Sequence, residues 1–168
     1  MTLSTEKLLR GLPLKERVAL FIETHKHGTG VTPTDLYHEF AAEGMGTERG
    51  SFVLRVATPQ NAESMAYAMV GLEEEAHAAL TELITERRIH MLPITADFYE
   101  LLSGSRPNVP VADDLCCHDS FHWRPVAFVP SRTLEKIKAV WDLLTDAPDR
   151  FPLREAVPAH QRRSPHCE

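Results

Sequence analysis

Apolar residues recur with heptad spacing between residues 58 and 88 of the chain. Seven of them are separated alternately by three and four positions, which places them on one face of a helix. They are Ala62, Met65, Met69, Leu72, Ala76, Ala79 and Leu83. Gly71 interrupts the pattern, because glycine destabilises a helix interior by about 1 kcal/mol relative to alanine. The segment therefore predicts one long helix, or a helix over residues 59–70 followed by a second from Leu72 onwards.

Two shorter helices are predicted upstream of this segment. Apolar residues at one-turn spacing place the first helix over residues 13–26. They are Leu14, Val18, Phe21 and Ile22. The second helix is expected to start with a threonine cap at Thr32, Pro33 at its first position and Asp35 near the positive end of the dipole, and to end at Gly44. Its predicted buried stripe is Leu36, Tyr37, Phe40 and Ala41.

Three further segments predict short strands. Residues 51–56 are β-branched and aromatic enough for a strand, although a helical turn fits them as well. Residues 89–94 should form an edge strand, because Pro93 cannot donate a ladder hydrogen bond. Residues 123–129 should form its partner strand.

Two more helices and two irregular segments complete the prediction. Thr95 is expected to cap a short helix, and Ser131 a last helix over residues 132–144. Residues 103–120 are rich in Gly, Pro, Asn and Asp, which predicts a long exposed loop. Residues 146–168 hold four prolines and no apolar periodicity, which predicts a flexible C-terminal tail.

These elements predict an α+β fold class, mainly α with a small β-hairpin, with residues 1–145 as a single domain. The formal net charge is −6, and residues 1–100 hold the whole acidic excess, with nine Lys and Arg against fifteen Asp and Glu. That balance weighs against broad nucleic-acid binding, because phosphate contacts need local positive charge. The chain has no apolar run of membrane-spanning length and no signal-peptide pattern, so we expect a cytoplasmic protein.

Candidate chemistry is confined to one cluster, formed by Cys116, Cys117, His118 and His122. Zinc sites usually place two or more residues between paired cysteines, so adjacent thiols favour a loop with incidental cysteines over a metal site. A nucleophilic pair of Cys117 and His122 lacks any mark of an oxyanion hole. We therefore expect no enzyme activity, no cofactor and no metal, although the zinc question stays open.

The order of these elements resembles that of a winged helix-turn-helix domain: three helices, two strands and a final helix. The segment Ala79–Ile89 looks like the third helix of such domains as it runs into the first wing strand. The resemblance requires two long insertions, at residues 44–71 and between the wing strands. It implies a long third helix and a small dimeric DNA-binding regulator of transcription, paired through the heptad helix or the last helix. The DNA-binding residues expected on this basis are Arg49, Arg55, Arg87, Arg88, His90 and Arg124.

The start of the predicted third helix supports a second interpretation. Its carboxylates would be repelled by phosphates, although they can also simply complement the positive end of the helix dipole. An acidic surface fits a protein-interaction or inhibitory module that binds a basic partner, including a nucleic-acid-binding protein. The partner-binding residues of this alternative are Glu73, Glu74, Glu75 and Glu82.

Overall fold

The computed structural model describes residues 11–25, 30–56, 66–112 and 122–145, which form an α+β fold. The helices in these ranges are α1 (Leu14–Thr24), α2 (Pro33–Phe40), α3 (Glu74–Thr85), α4 (Ala96–Ser103) and α5 (Leu134–Thr145). The strands are β1 (Phe52–Arg55), β2 (Ala66–Leu72), β3 (Ile89–Pro93), β4 (His122–Trp123) and β5 (Val126–Pro130). One-turn 3-10 helices at Ala41–Glu43 and Ser131–Thr133 follow α2 and precede α5.

Strand β5 lies between two hydrophobic cores, and all of its residues are buried. It pairs antiparallel with β3, and on its other side Phe128 forms an antiparallel bridge with Val31. Alternate residues of a strand face opposite sides. Accordingly Val126 and Phe128 join a first core built on α1, α2 and α3, while Ala127 and Val129 join a second core that includes residues of α4 and α5. One strand therefore connects the two cores.

A second sheet has the strand order β1-β2-β4, with β1 and β2 antiparallel and β2 and β4 parallel. Residues 51–56 thus contain a strand, as one of the two predictions held. The single strand predicted over residues 123–129 is wrong, because the chain changes sheets at Arg124 and Pro125. The Arg124 N–H donates to the carbonyl of Tyr67 in β2, whereas the Pro125 carbonyl accepts from Ile94 just after β3.

The predicted start of α2 is confirmed. Thr32 Oγ1 accepts a hydrogen bond from the Asp35 N–H, and Asp35 Oδ2 accepts one from the Thr32 N–H at 2.8 Å, which closes a capping box. The 3-10 turn after α2 ends at Gly44 as expected, where φ is +87°. Ala41 is exposed, so its place in the buried stripe is wrong. The chain leaves the α-helical period at that residue and turns its side chain away from the core.

The predicted heptad helix is wrong in the part that becomes β2, and the residues before 66 back to 57 lie outside the described ranges. Gly71 has a φ of +67°, and its backbone lies so close to Gly50 that a Cβ at Gly50 would overlap it. Backbone pairing with β1, which is remote in sequence, therefore prevails over the local helical spacing. Helix α3 begins only at Glu74 and has 12 residues, so the expected long third helix is wrong as well.

The described heptad positions are all buried within a single chain. Met69 and Leu72 belong to β2, whereas Ala76, Ala79 and Leu83 belong to α3, and each is at most 5% exposed. They leave no continuous apolar stripe on the described surface for a partner helix. The expected homodimer stays a prediction without support from this pattern.

The C-terminal elements match the predictions in part. Thr95 caps α4 by accepting a hydrogen bond from the Phe98 N–H at 3.2 Å, as expected. Ser131 does not cap α5, because it begins the 3-10 turn and its hydroxyl donates to the carbonyl of Arg87. Residues 104–112 are irregular, but Ala112 is buried, so this end of the predicted exposed loop packs against the protein.

Two other predictions concern residues outside the described ranges. They are the cysteine pair in the loop and the tail over residues 146–168. Of the helices that the structure describes, none combines the length and the apolar character needed to cross a membrane.

Tyr37 connects α2 to β2, because its hydroxyl accepts from the Val70 N–H at 2.9 Å and lies 3.2 Å from the Val70 carbonyl, to which it donates. Burial raises the pKa of Tyr37 to about 12 from 10.0. The neutral phenol thus contributes stability that is complete below pH 10 and is lost as the pH rises toward 12. We expect Tyr37→Phe to be less stable at pH 8, and its deficit to shrink between pH 10 and 12 in urea unfolding. A constant deficit would contradict this assignment.

Candidate functional site

The solvent-facing side of α3 is acidic at its start. Glu73 is the N-cap residue, Glu74 and Glu75 fill the first turn, and all three are exposed. The opposite side of the helix is buried in the first core through Ala76, Ala79, Leu80 and Leu83. The amphipathic pattern therefore fixes the rotation of the helix and directs the three carboxylates away from the core.

These carboxylates line an open groove of about 660 Å³ between α1, the 3-10 turn after α2 and the start of α3. Its lining residues are Leu14, Arg17, Ala42, Glu43, Glu73, Glu74, Glu75 and Ala78. The Glu73 N–H donates to the Gly44 carbonyl at 2.8 Å, and Thr47 Oγ1 donates to the Glu73 carboxylate at 3.1 Å. A Cβ at Gly44 would lie 2.6 Å from the Glu73 Cβ, so glycine allows the turn and α3 to approach this closely.

Positive charge offsets only part of the groove's negative charge. Arg17 is the only cation among the lining residues, and its Nη1 lies 2.5 Å from a carboxylate oxygen of Glu43. The N-terminus of α3 adds roughly half a positive charge. Against it stand three carboxylates, and within the described residues Glu74 and Glu75 form no ion pair or hydrogen bond. The groove therefore keeps an excess of roughly two to three negative charges.

The acidic residues farther along α3 are already paired with α1. Lys15 Nζ lies 2.9 Å from a carboxylate oxygen of Glu82 and 2.9 Å from one of Glu86. The hydrogen bond to Glu86, followed by that to Glu82, raises the pKa of Lys15. Glu82, which the sequence grouped with Glu73–Glu75, thus lies apart from the groove and shares a cation with Glu86.

Arg88, an expected DNA-binding residue, is engaged by α1. Its Nη1 and Nη2 lie 2.7 and 2.8 Å from the two carboxylate oxygens of Glu16, a two-point geometry that fixes the guanidinium. This hydrogen bonding lowers the pKa of Glu16 and raises the pKa of Arg88. A phosphate would have to compete with Glu16 for the same donors.

The expected DNA-binding role of Arg124 is wrong, because its side chain is buried. Arg124 is 6% exposed, and its Nη1 donates to the Ala112 carbonyl at 2.5 Å. The guanidinium thus secures the irregular segment before the described range ends, and it cannot reach a phosphate. A single arginine between Trp123 and Pro125 carries no sequence signal of burial.

The other expected DNA-binding residues lie in two separate places. Arg49 and Arg55 are exposed at either side of β1, whereas Arg87 and His90 lie at the turn from α3 to β3. Arg87 is exposed with a φ of +55°. Burial, together with the nearby positive charges of Lys138 and Arg87, lowers the pKa of His90 and leaves it neutral at pH 7. At this turn, the described structure thus presents a single charge, on Arg87, that no ion pair engages.

Sequence reasoning missed half of the groove. Leu14 was assigned to the core, and Arg17, Ala42, Glu43 and Ala78 were assigned no role. Only tertiary packing brings α1 and the 3-10 turn beside α3, so a local pattern contains no sign of their contact. No group of three His, Cys, Asp or Glu in the described part of the chain is placed to hold a metal ion.

Of the candidate zinc cluster, only His122 falls in the described residues, at the start of β4. Comparisons of the chain with protein-family models, with curated proteins and with solved structures found no match. The function must therefore be argued from the groove and its charges.

Proposed function

We propose that this protein is an interaction module that binds a basic surface of a partner protein in the acidic groove. The exposed carboxylates of Glu73–Glu75 carry the proposal, because they border a groove whose arginine is already paired with Glu43. Lysine and arginine suit such a site. Their aliphatic stems can pack on Leu14, Ala42 and Ala78 while their charged groups meet the carboxylates.

Charge of this kind accelerates association with an oppositely charged partner and excludes like-charged ones. The acidic excess of residues 1–100 adds to the same field. A nucleic-acid-binding protein is one class of partner with a suitable basic surface. The chain would then act by occupying that surface.

A DNA-binding regulator receives less support from the described surfaces. Arg124 is buried, Arg88 is paired with Glu16, and His90 has a lowered pKa. DNA that approached the start of α3 would also meet its exposed carboxylates, which repel phosphates.

The order α1, α2, α3, β3, β5 and α5 supports a winged-helix-like scaffold for this groove. It follows the expected order of three helices, two strands and a helix. The hairpin of β1 and β2 would then be an insertion before α3, and α4 with β4 an insertion between the wing strands. On such a scaffold α3 would take the place of the DNA-reading helix, with acidic residues where phosphate binding calls for basic ones.

Charge reversal in the groove tests this proposal. We expect a short fluorescent peptide of lysine and leucine to bind the full chain at low salt, and Glu74→Lys with Glu75→Lys to weaken binding by roughly 10- to 100-fold. The loss should appear mainly in the association rate and shrink at high salt, because surface charges act at long range and are screened. Stopped-flow anisotropy measures both rates.

Two control variants make the result specific to the groove. Glu100→Lys with Glu135→Lys changes the net charge equally on α4 and α5, and should leave peptide binding within about twofold. Glu74→Gln with Glu75→Gln keeps the side-chain size, and should produce a smaller loss than charge reversal. Equal losses from both reversed pairs would show that only total charge matters. Salt-sensitive binding of random duplex DNA that Arg87→Ala weakens would favour the regulator instead.

A further inference from the structure

The sequence contains a segment whose charge and apolar residues complement the groove. Residues 150–163, which lie outside the described ranges, hold four arginines against one glutamate. The arginines are Arg150, Arg154, Arg162 and Arg163, and the bulky apolar residues among them are Phe151, Leu153 and Val157. The net charge of this segment is +3, whereas the groove keeps roughly two to three negative charges beside aliphatic side chains.

We propose that residues 150–163 occupy the acidic groove of their own chain. Arginine is well suited to this contact, because its planar guanidinium pairs with a carboxylate through two parallel hydrogen bonds. Glu74 and Glu75 form no ion pair or hydrogen bond with any described residue and are the acceptors for it. The proposal rests on the proposed function in one respect: the segment and a basic partner use the same groove.

The connection to α5 is long enough for this contact. Helix α5 ends at Thr145, and Arg162 follows 17 residues later in the sequence. An extended stretch of that length spans up to about 55 Å. A folded domain of about 140 residues has a diameter of roughly 40 Å, so the Arg162–Arg163 pair can reach any point on its surface.

Attachment to the same chain makes a weak contact effective. A flexible tether of this length holds the segment at an effective concentration of roughly millimolar. A partner must then displace the segment, so binding selects for partners with more or better placed cations. The segment would act as a built-in competitor that lowers the apparent affinity of the groove without changing its chemistry.

Amide signals of the full, 15N-labelled chain test the contact without any partner. We expect replacement of the four arginines by Gln to shift the amides of groove residues such as Arg17, Glu43 and Ala78 at low salt. Charge reversal by Glu74→Lys with Glu75→Lys should abolish that difference. A control variant that replaces Arg49, Arg55, Arg87 and Arg106 by Gln removes the same charge from exposed sites, and should leave the groove amides in place.

The outcomes separate this inference from the proposed function. Unchanged groove amides in the four-arginine variant would overturn the inference, as would shifts that grow with protein concentration, because these indicate a second copy. If the lysine–leucine peptide still binds in either case, the proposed function stands alone. If the segment occupies the groove, the peptide should bind the four-arginine variant several-fold more tightly than the unmodified chain.

Discussion

We expect Phe128→Ala to lower the free energy of unfolding by about 3–5 kcal/mol, the range for removing a buried phenylalanine from a packed core. Phe128 has no exposed surface and belongs to the first core. Its backbone N–H donates to Val31 at 2.7 Å and its carbonyl accepts from Val31 at 2.9 Å. A cavity here would lie where α1, α2 and α3 meet β5, so neighbouring side chains cannot fill it without moving a helix.

Phe52→Ala is the matched control, because it makes the same deletion at the surface. Phe52 is 39% exposed, and its ring stacks on His77 with centroids 5.2 Å apart. We expect it to lower the free energy of unfolding by about 1 kcal/mol. Urea unfolding followed by circular dichroism compares the two variants. Similar losses for both would mean that Phe128 does not lie at the centre of the first core.

The elements that could be predicted from sequence are those fixed by neighbouring residues. The capping box of Thr32 and Asp35 spans four positions, and the Thr95 cap of α4 is similarly local. Strand β3 was predicted because Pro93 and the apolar residues before it allow little else. In each case the decisive contacts lie within a few residues, so a local pattern contains them.

The errors occur where distant segments determine the structure. Spacing alone made Met69 and Leu72 look helical, yet pairing with β1 draws them into a strand. The same limit applies to the site. The carboxylates of Glu73–Glu75 could be predicted at the start of a helix, whereas their position opposite Arg17 and Glu43 depends on how α1 packs against α3.

The close contact between Gly50 and β2 explains why that strand forms, and it can be tested directly. A Cβ on Gly50 would overlap the backbone C and O of Gly71 and lie 2.6 Å from the backbone N of Leu72. Real Cβ atoms essentially never come this close, and backbone atoms cannot rotate away as a side chain can. Gly50→Ala must therefore separate β1 from β2. We expect it to lower the free energy of unfolding by about 3 kcal/mol, at the upper end for overpacking.

Gly104→Ala provides the comparison for this variant. Gly104 ends α4 with a φ of +73°, and a Cβ there would meet no atom within 4 Å. Alanine at Gly104 should therefore lower stability only by the conformational strain, about 1–2 kcal/mol. Because the Gly50 clash lies next to the groove-lining start of α3, Gly50→Ala should also shift the amide signals of Glu73 and Glu74. A Gly50→Ala protein as stable as the original would mean that β1 and β2 do not pair as closely as described, and the position of the groove would then need revision.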